Sequence, residues 1–256
     1  MNKLTIAIST LKSNREHLVK HIGTFPDIDN VEFLIISQGE IENITINLNS
    51  NVKLIKSTSY GLSRSRNIAI SSVNTEWVWF QDDDISLIFE GLPSLIEELC
   101  SSIDACFVKV RSSESKSEYY KDYSFHRKHN ILNCFKISSI EILARVEFLK
   151  KFKLNFDEKL GLGTRLPCCE ESLFLYGLFK NTDKCTYIKL PVAYHTTNIE
   201  SRDIDFSRRM IARGYSLRYF PKVLSFLLFM RWGLSLSNPN GAIYRYKLLL
   251  EGMMLK

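Results

Sequence analysis

A chain of 256 residues that is 45% apolar and 24% charged can bury a sizeable core, which excludes wholesale disorder. Its 11 glycines and 6 prolines exclude a fibrous or low-complexity protein. The net charge of +6 is local: residues 201–256 hold 10 Lys and Arg against 3 Asp and Glu, and residues 1–200 hold 24 against 25. Such a basic segment suits an anionic partner. The six cysteines (Cys100, Cys106, Cys134, Cys168, Cys169, Cys185) show no C-x-x-C pairing, so reduced thiols in a cytosol are expected rather than zinc or a disulfide scaffold. Met1–Lys3 runs directly into an apolar stretch with no cleavage site, so no signal peptide is expected. The most apolar run, Val223–Met230, falls well short of the ~18 residues that span a bilayer.

In chain order, Leu4–Ser9 reads as a buried strand, followed by a helix-compatible stretch, Asn14–Ile22. Val31–Ile36 is a second strand, closed by Ser37-Gln38-Gly39, and Val52–Ile55 a third. Ser63–Ser72 has a helical pattern, with Leu62, Ile68, Ala69 and Ser72 able to share a face and the arginines pointing elsewhere. Trp77–Phe80 is an aromatic strand ending in Gln81-Asp82-Asp83-Asp84. Helices are expected at Pro93–Cys100, Glu141–Lys151 and Glu170–Phe179, and strands at Ala105–Val110, Ile131–Ile137 and Tyr187–Val192. Residues 112–130 form a polar excursion. Strands separated by single helices predict a mainly parallel sheet, whose ligands bind beyond the carboxyl ends of the strands. The predicted organisation is one α/β domain over 1–205 with a basic, amphipathic helical appendage over 206–256.

Three constellations can carry chemistry. Asp82-Asp83-Asp84 places adjacent, mutually repelling carboxylates at the end of a buried strand, which a cation or donor must compensate. Hard divalent ions take oxygen ligands and bridge diphosphates, although a solvated acidic turn has the same three letters. Gly61-Leu-Ser-Arg-Ser-Arg-Asn67 offers a tight turn, a helix start with free N–H groups, and positive charge from Arg64 and Arg66. Phe156-Asp-Glu-Lys-Leu-Gly-Leu-Gly-Thr164 marks a loop that passes close to a neighbour. After it, Glu170 and Glu171 open an apolar helix, either as helix-start carboxylates or with one acting as a general base. His195, after the last strand, is a candidate metal or phosphate ligand or a structural hydrogen bonder, while His17 and His21 read as surface residues.

Taken jointly, the G-x-x-x-x-RN helix, the strand ending in DDD, the FDE-x-LG-x-G loop and the acidic pair heading an apolar helix resemble the family 2 glycosyltransferases. The resemblance covers roughly Leu4–Ser201. It implies a GT-A fold and an inverting, metal-dependent transfer of a hexose from a nucleotide-sugar. Carried over by position, Asp84 and Asp82 look like the metal-binding pair, with Asp82 nearer ribose or sugar and Asp83 beside them. Glu171 stands where the family has an Asp as catalytic base, and Glu170 would orient that base or hold acceptor. His195 would reach the metal or diphosphate. Ser9, Thr10, Gly61, Arg64, Arg66 and Asn67 would line the nucleotide-sugar. The acidic residue common after the second strand is missing here, and Gln38 offers a uracil edge one donor and one acceptor instead. The resemblance implies Mn²⁺ or Mg²⁺ as cofactor and a UDP-hexose, UDP-galactose or UDP-glucose, as donor.

In the tail, Arg208, Arg209, Arg213, Arg218, Lys222 and Arg231 interleave with aromatic and apolar residues, a pattern suited to an anionic membrane surface or to a helix covering the sheet. The segment is too apolar for a solvated nucleic-acid-binding face, so no nucleic acid is expected. A lipid-linked saccharide acceptor, bacterial surface-polysaccharide synthesis, and a cytoplasmic location against the inner face of the membrane follow as expectations. Two alternatives are a sugar nucleotidyltransferase, against which Ser9–Asn14 lacks the expected glycine-rich loop, and a non-catalytic membrane-surface protein.

Overall fold

The computed structural model describes residues 3–11, 25–39, 49–124, 131–195, 205–235 and 241–255. The helix expected at Asn14–Ile22, His17, His21 and most of the loop after Ser9 lie outside them. Eight strands form one sheet: β1 (Leu4–Leu11), β2 (Val31–Gln38), β3 (Val52–Ser57), β4 (Trp77–Asp82), β5 (Ser86–Leu87), β6 (Ala105–Ser112), β7 (Ile142–Arg145) and β8 (Cys185–His195). Their spatial order is β3-β2-β1-β4-β7-β6-β8-β5. The pairs β1/β2, β2/β3, β1/β4 and β6/β8 are parallel, while β7 runs antiparallel between β4 and β6, and β5 antiparallel to β8.

The inner strands read as near-continuous apolar runs because both sheet faces are covered. Leu4, Ile6, Ile8, Trp77 and Trp79 pack on one face with Leu92, Leu95 and Leu99, contributed by or adjoining α2 (Leu92–Glu98). Ala7, Val78, Phe80 and Phe107 pack on the other. There they meet α1 (Leu62–Ser72), α3 (Val146–Lys151) and α4 (Glu170–Asn181).

Three local expectations are corrected. Ile142–Arg145 is a strand rather than the start of a helix, because its apolar residues are buried between two strands that supply hydrogen-bond partners on both sides. Ile131–Phe135 is a 3-10 helix packed against α4, not a strand. In α1 the inward residues are Ser63, Ser65, Arg66, Ala69 and Ile70, so Arg66 faces the interior. A polar site on that side of the helix, not an apolar core alone, replaces the expected hydrophobic stripe.

From Phe206 onward the chain is helical: α5 (Phe206–Leu217), α6 (Lys222–Gly233) and α7 (Ala242–Met254). Helices α5 and α7 cross at bare backbone, since a Cβ on Gly214 would lie 2.1 Å from the Leu249 carbonyl and one on Gly252 2.0 Å from that of Ile211. The unit docks on the sheet-bearing part through Leu160, Leu166, Ala212 and Tyr215, and through Phe220 against Phe135 and Tyr176.

Candidate active site

The parallel register sets Ser9 beside Asp82 and Leu11 beside Gln38, so the carboxyl ends of β1, β2 and β4 share one edge. The three aspartates there diverge, and each meets a different compensating group. Asp82 accepts from Arg66 Nη2 at 3.1 Å, Asp83 from the Thr10 hydroxyl at 2.6 Å, and Asp84 Oδ1 lies 3.8 Å from His195 Nε2. His195 arrives because β8 ends beside β6, with Ser112 and His195 in register, and β5 pairs with β8 just after the aspartates.

Arg66 is the centre of the site. It is 1% exposed, lies 5.3 Å over the Phe156 ring, and donates through Nη2 to Ser139 Oγ at 2.6 Å. Its Nη1 stands 3.6 Å from Glu170 and 3.7 Å from Glu171, close enough for charge attraction but too far for hydrogen bonds. Burial pulls the Arg66 pKa down, but Asp82, Glu171 and Glu170 outweigh it and hold the guanidinium above its ordinary value. The two glutamates differ in surroundings. Glu170 has a side chain 5% exposed, and burial, reinforced by Glu171 and opposed by Arg66, raises its pKa well above the ordinary carboxyl range. Its Oε2 has no hydrogen-bond partner among the described residues. Glu171 is 28% exposed and accepts from Ser139 Oγ at 3.2 Å, leaving the carboxylate reachable from the cleft.

The glycine loop closes over this hub. A Cβ on Gly161 would lie 3.0 Å from Ser63 Oγ and 3.2 Å from the Glu170 carboxyl carbon, and one on Gly163 would lie 3.2 Å from the backbone of Gly61. Both have positive φ, so glycine is required for space and for conformation. Phe156 stacks on Phe174 of α4 at 4.0 Å and meets Phe80 edge-on at 5.3 Å, which locks the loop to the strand before the aspartates.

Other expected ligand residues are spent on framework. Asn67 donates to the Phe156 carbonyl and to Glu158, and accepts from the Phe156 N–H. Arg64 is half exposed and pairs with Glu158 at 2.9 Å. Gln38 is 2% exposed and donates to the Gly61 carbonyl at 3.0 Å, ordering the turn from within rather than presenting a free amide edge. Ser9 accepts from Ser65, so its hydroxyl bridges β1 and α1.

Three residues escaped sequence reasoning. Ser139 joins Arg66 to Glu171, and its segment is tied to β4 by Trp79 and Gln81, which both donate to the Ile140 carbonyl. Tyr120, in the polar excursion, packs its ring 4.9 Å from that of His195. Glu141 anchors the excursion: it is fully buried, 2.5 Å from Lys121 Nζ, and accepts from the Tyr123 hydroxyl. Burial, opposed by Lys121, raises its pKa from 4.5 to about 7. The unfolded chain therefore releases this proton at a lower pH than the folded one, and stability falls as pH rises from about 4.5 through 7. In urea unfolding at pH 5 and pH 8, the wild type should lose about 2–3 kcal/mol more than Glu141→Gln between the two.

The family model "Glycosyl transferase family 2" matches residues 10–182, which include the aspartates, the glycine loop and the acidic helix start. The chain belongs to glycosyltransferase family 2. No curated protein matches the sequence at a significant level. The fold of this family 2 transferase is GT-A, as in similar solved structures. S. aureus TarS residues 1–349 shares 16% identity at a TM-score of 0.59, over 98% of this chain and 70% of that one. The same region of TarS has been solved with UDP-GlcNAc, at 17% identity and TM-score 0.59, over 98% and 71% of the two chains. A Pyrobaculum calidifontis mannosyltransferase, PcManGT, solved with GDP-Man and Mn²⁺, shares 12% identity at 0.56, over 98% and 74%. The family 2 transferase spans 43% of a longer TarS chain.

Proposed function

We propose that the protein is an inverting, metal-dependent transferase. It moves a hexose from a UDP-sugar to a saccharide acceptor carried on lipid, at the inner face of a bacterial membrane, during surface-polysaccharide assembly. Residues 1–205 are the catalytic unit and 206–256 its appendage. The observation that carries this is the meeting at Arg66 of the strand-end carboxylate Asp82 with the helix-start pair Glu170–Glu171.

Among the described residues no three His, Cys, Asp or Glu side chains form a metal-holding group. Asp84 and His195 nevertheless supply a carboxylate and an imidazole 3.8 Å apart. Magnesium and manganese sites commonly take one or two protein ligands and fill the rest with phosphate oxygens and water, so this donor pair fits. A divalent cation held by Asp84 and His195 would neutralise charge on the leaving diphosphate. Asp82, oriented by Arg66, faces the donor's ribose or sugar. Glu171 removes the proton of the acceptor hydroxyl, whose oxygen forms the bond to the anomeric carbon as the bond to the diphosphate breaks. Glu170, buried and inclined to keep its proton, backs the base. The nucleotide complexes of TarS and PcManGT support a nucleotide-sugar donor.

Incubating the purified protein with a panel of nucleotide-sugars and Mn²⁺ and scoring slow donor hydrolysis tests the assignment. Asp84→Asn should reduce UDP affinity in Mn²⁺ to the level of the wild type in chelator, by calorimetry. Equal affinity for wild type and variant in Mn²⁺ would remove Asp84 from the cation site.

A further inference from the structure

Helix α6 is apolar on both sides. Leu228 is buried and Leu224, Phe229 and Trp232 pack inward against α5, α7 and the sheet-bearing part. On the outer side Val223 is 74% exposed, Phe226 62%, Leu227 57%, and Leu234 just past the helix 55%. These positions recur at helical spacing and form one stripe. A helix with two apolar faces sits between two apolar phases, and among the described residues the protein supplies only the inner one.

The surrounding charge identifies the outer phase. Between Phe206 and Met254 the chain has a single acidic residue, Glu251, against Arg208, Arg209, Arg213, Arg218, Lys222, Arg231, Arg245 and Lys247. Lys222 and Arg231, at the two ends of the α6 stripe, and Lys247 on α7 are exposed. Exposed Ile243, Leu250 and Met254 continue the apolar character along α7, which is fixed to α6 by Arg245 donating to the Gly233 carbonyl at 2.8 Å. None of the described helices is long and apolar enough to cross a membrane. We propose that the outer stripe of α6, extended by α7, is a monotopic docking face that lies in the headgroup region of an anionic bilayer, with the cations snorkelling to the phosphates.

The helical unit also reaches the site. The Tyr215 hydroxyl donates to Asp157 at 3.0 Å, and Arg208 donates to the carbonyls of Thr164 and Arg165. Thus α5 grips both ends of the glycine loop that closes over Glu170. Docking fixes that loop relative to the bilayer, which, resting on the transferase assignment above, presents the base side of the cleft to an acceptor whose lipid is anchored there.

The test is co-sedimentation of the full chain with vesicles of phosphatidylcholine alone and of phosphatidylcholine with phosphatidylglycerol in equal parts. The wild type should bind the anionic vesicles and bind the neutral ones far more weakly. Phe226→Glu with Leu227→Glu should reduce anionic-vesicle binding by at least about 10-fold. Lys222→Gln and Arg231→Gln should each reduce it by about 5-fold, with added salt erasing the difference. Vesicle binding unaffected by Phe226→Glu/Leu227→Glu overturns the proposal. So does a dimer of the wild type that this double variant abolishes while neither protein binds vesicles, since the stripe is then covered by a second copy. UDP binding by the double variant at wild-type affinity shows that the fold is intact. Vesicle binding by a wild type that binds no nucleotide leaves the docking face standing and sinks the transferase assignment alone.

Discussion

Glu171→Gln should lower turnover by roughly 10²–10⁴ while changing donor-nucleotide affinity by no more than about twofold. The amide keeps the shape and can still accept from Ser139, but it cannot take a proton. Glu170→Gln is the matched control. Glu170 is buried and its proton is held well above the ordinary carboxyl pH range, so an amide resembles its resting form and turnover should fall by less than about 10-fold. Single-turnover rates with saturating donor check both. If Glu171→Gln turns over at near-wild-type rate, the base is Glu170 or Asp157, although Asp157 is engaged by Tyr215.

Arg66→Met should cost about 3–5 kcal/mol of folding stability and abolish transfer, because removing one partner of a buried charge group strands the others. Asp82 would lose the cation that pairs with it among the described residues, and the buried Glu170 the charge that opposes its protonation, in a site whose walls are Phe156, Ser139 and the glycine loop. The sign of the pH dependence separates this from loss of packing. Arg66 opposes the raised pKa of Glu170, so without it that pKa rises further and the deficit relative to wild type should be smaller at pH 5 than at pH 8. Arg66→Lys keeps a charge but not the planar fork that reaches Asp82, Ser139 and both glutamates, and should fall between the two. Urea unfolding across that pH range provides the measurement, and a deficit independent of pH would reduce Arg66 to a space-filling role.

Much of the frame was legible in the chain. The apolar runs at Leu4, Val31 and Trp77 end in polar residues because buried parallel strands stop where the sheet meets solvent, and that edge holds Ser9, Thr10, Gln38 and Asp82. Gly161 and Gly163 signalled a close approach, and the close approach is to Gly61, Ser63 and Glu170. Periodicity failed at α1, where a buried arginine and serines occupy the inward face. It failed again at Ile142–Arg145, where pairing with two neighbouring strands overrode the helical pattern.

The sequence by itself determined the family, the strand-end carboxylates and the acidic helix start, since these depend on residue types at short, fixed spacings. Only the tertiary structure decided which carboxylate is buried and which is reachable, and which side chain answers each aspartate. The same holds for the outer side of α6, whose Val223, Phe226 and Leu227 are exposed. Those outcomes depend on contacts such as Arg66 with Glu170, Asp84 with His195 and Tyr215 with Asp157. Burial and charge compensation at these contacts are set by packing between elements far apart along the chain, which no local pattern encodes.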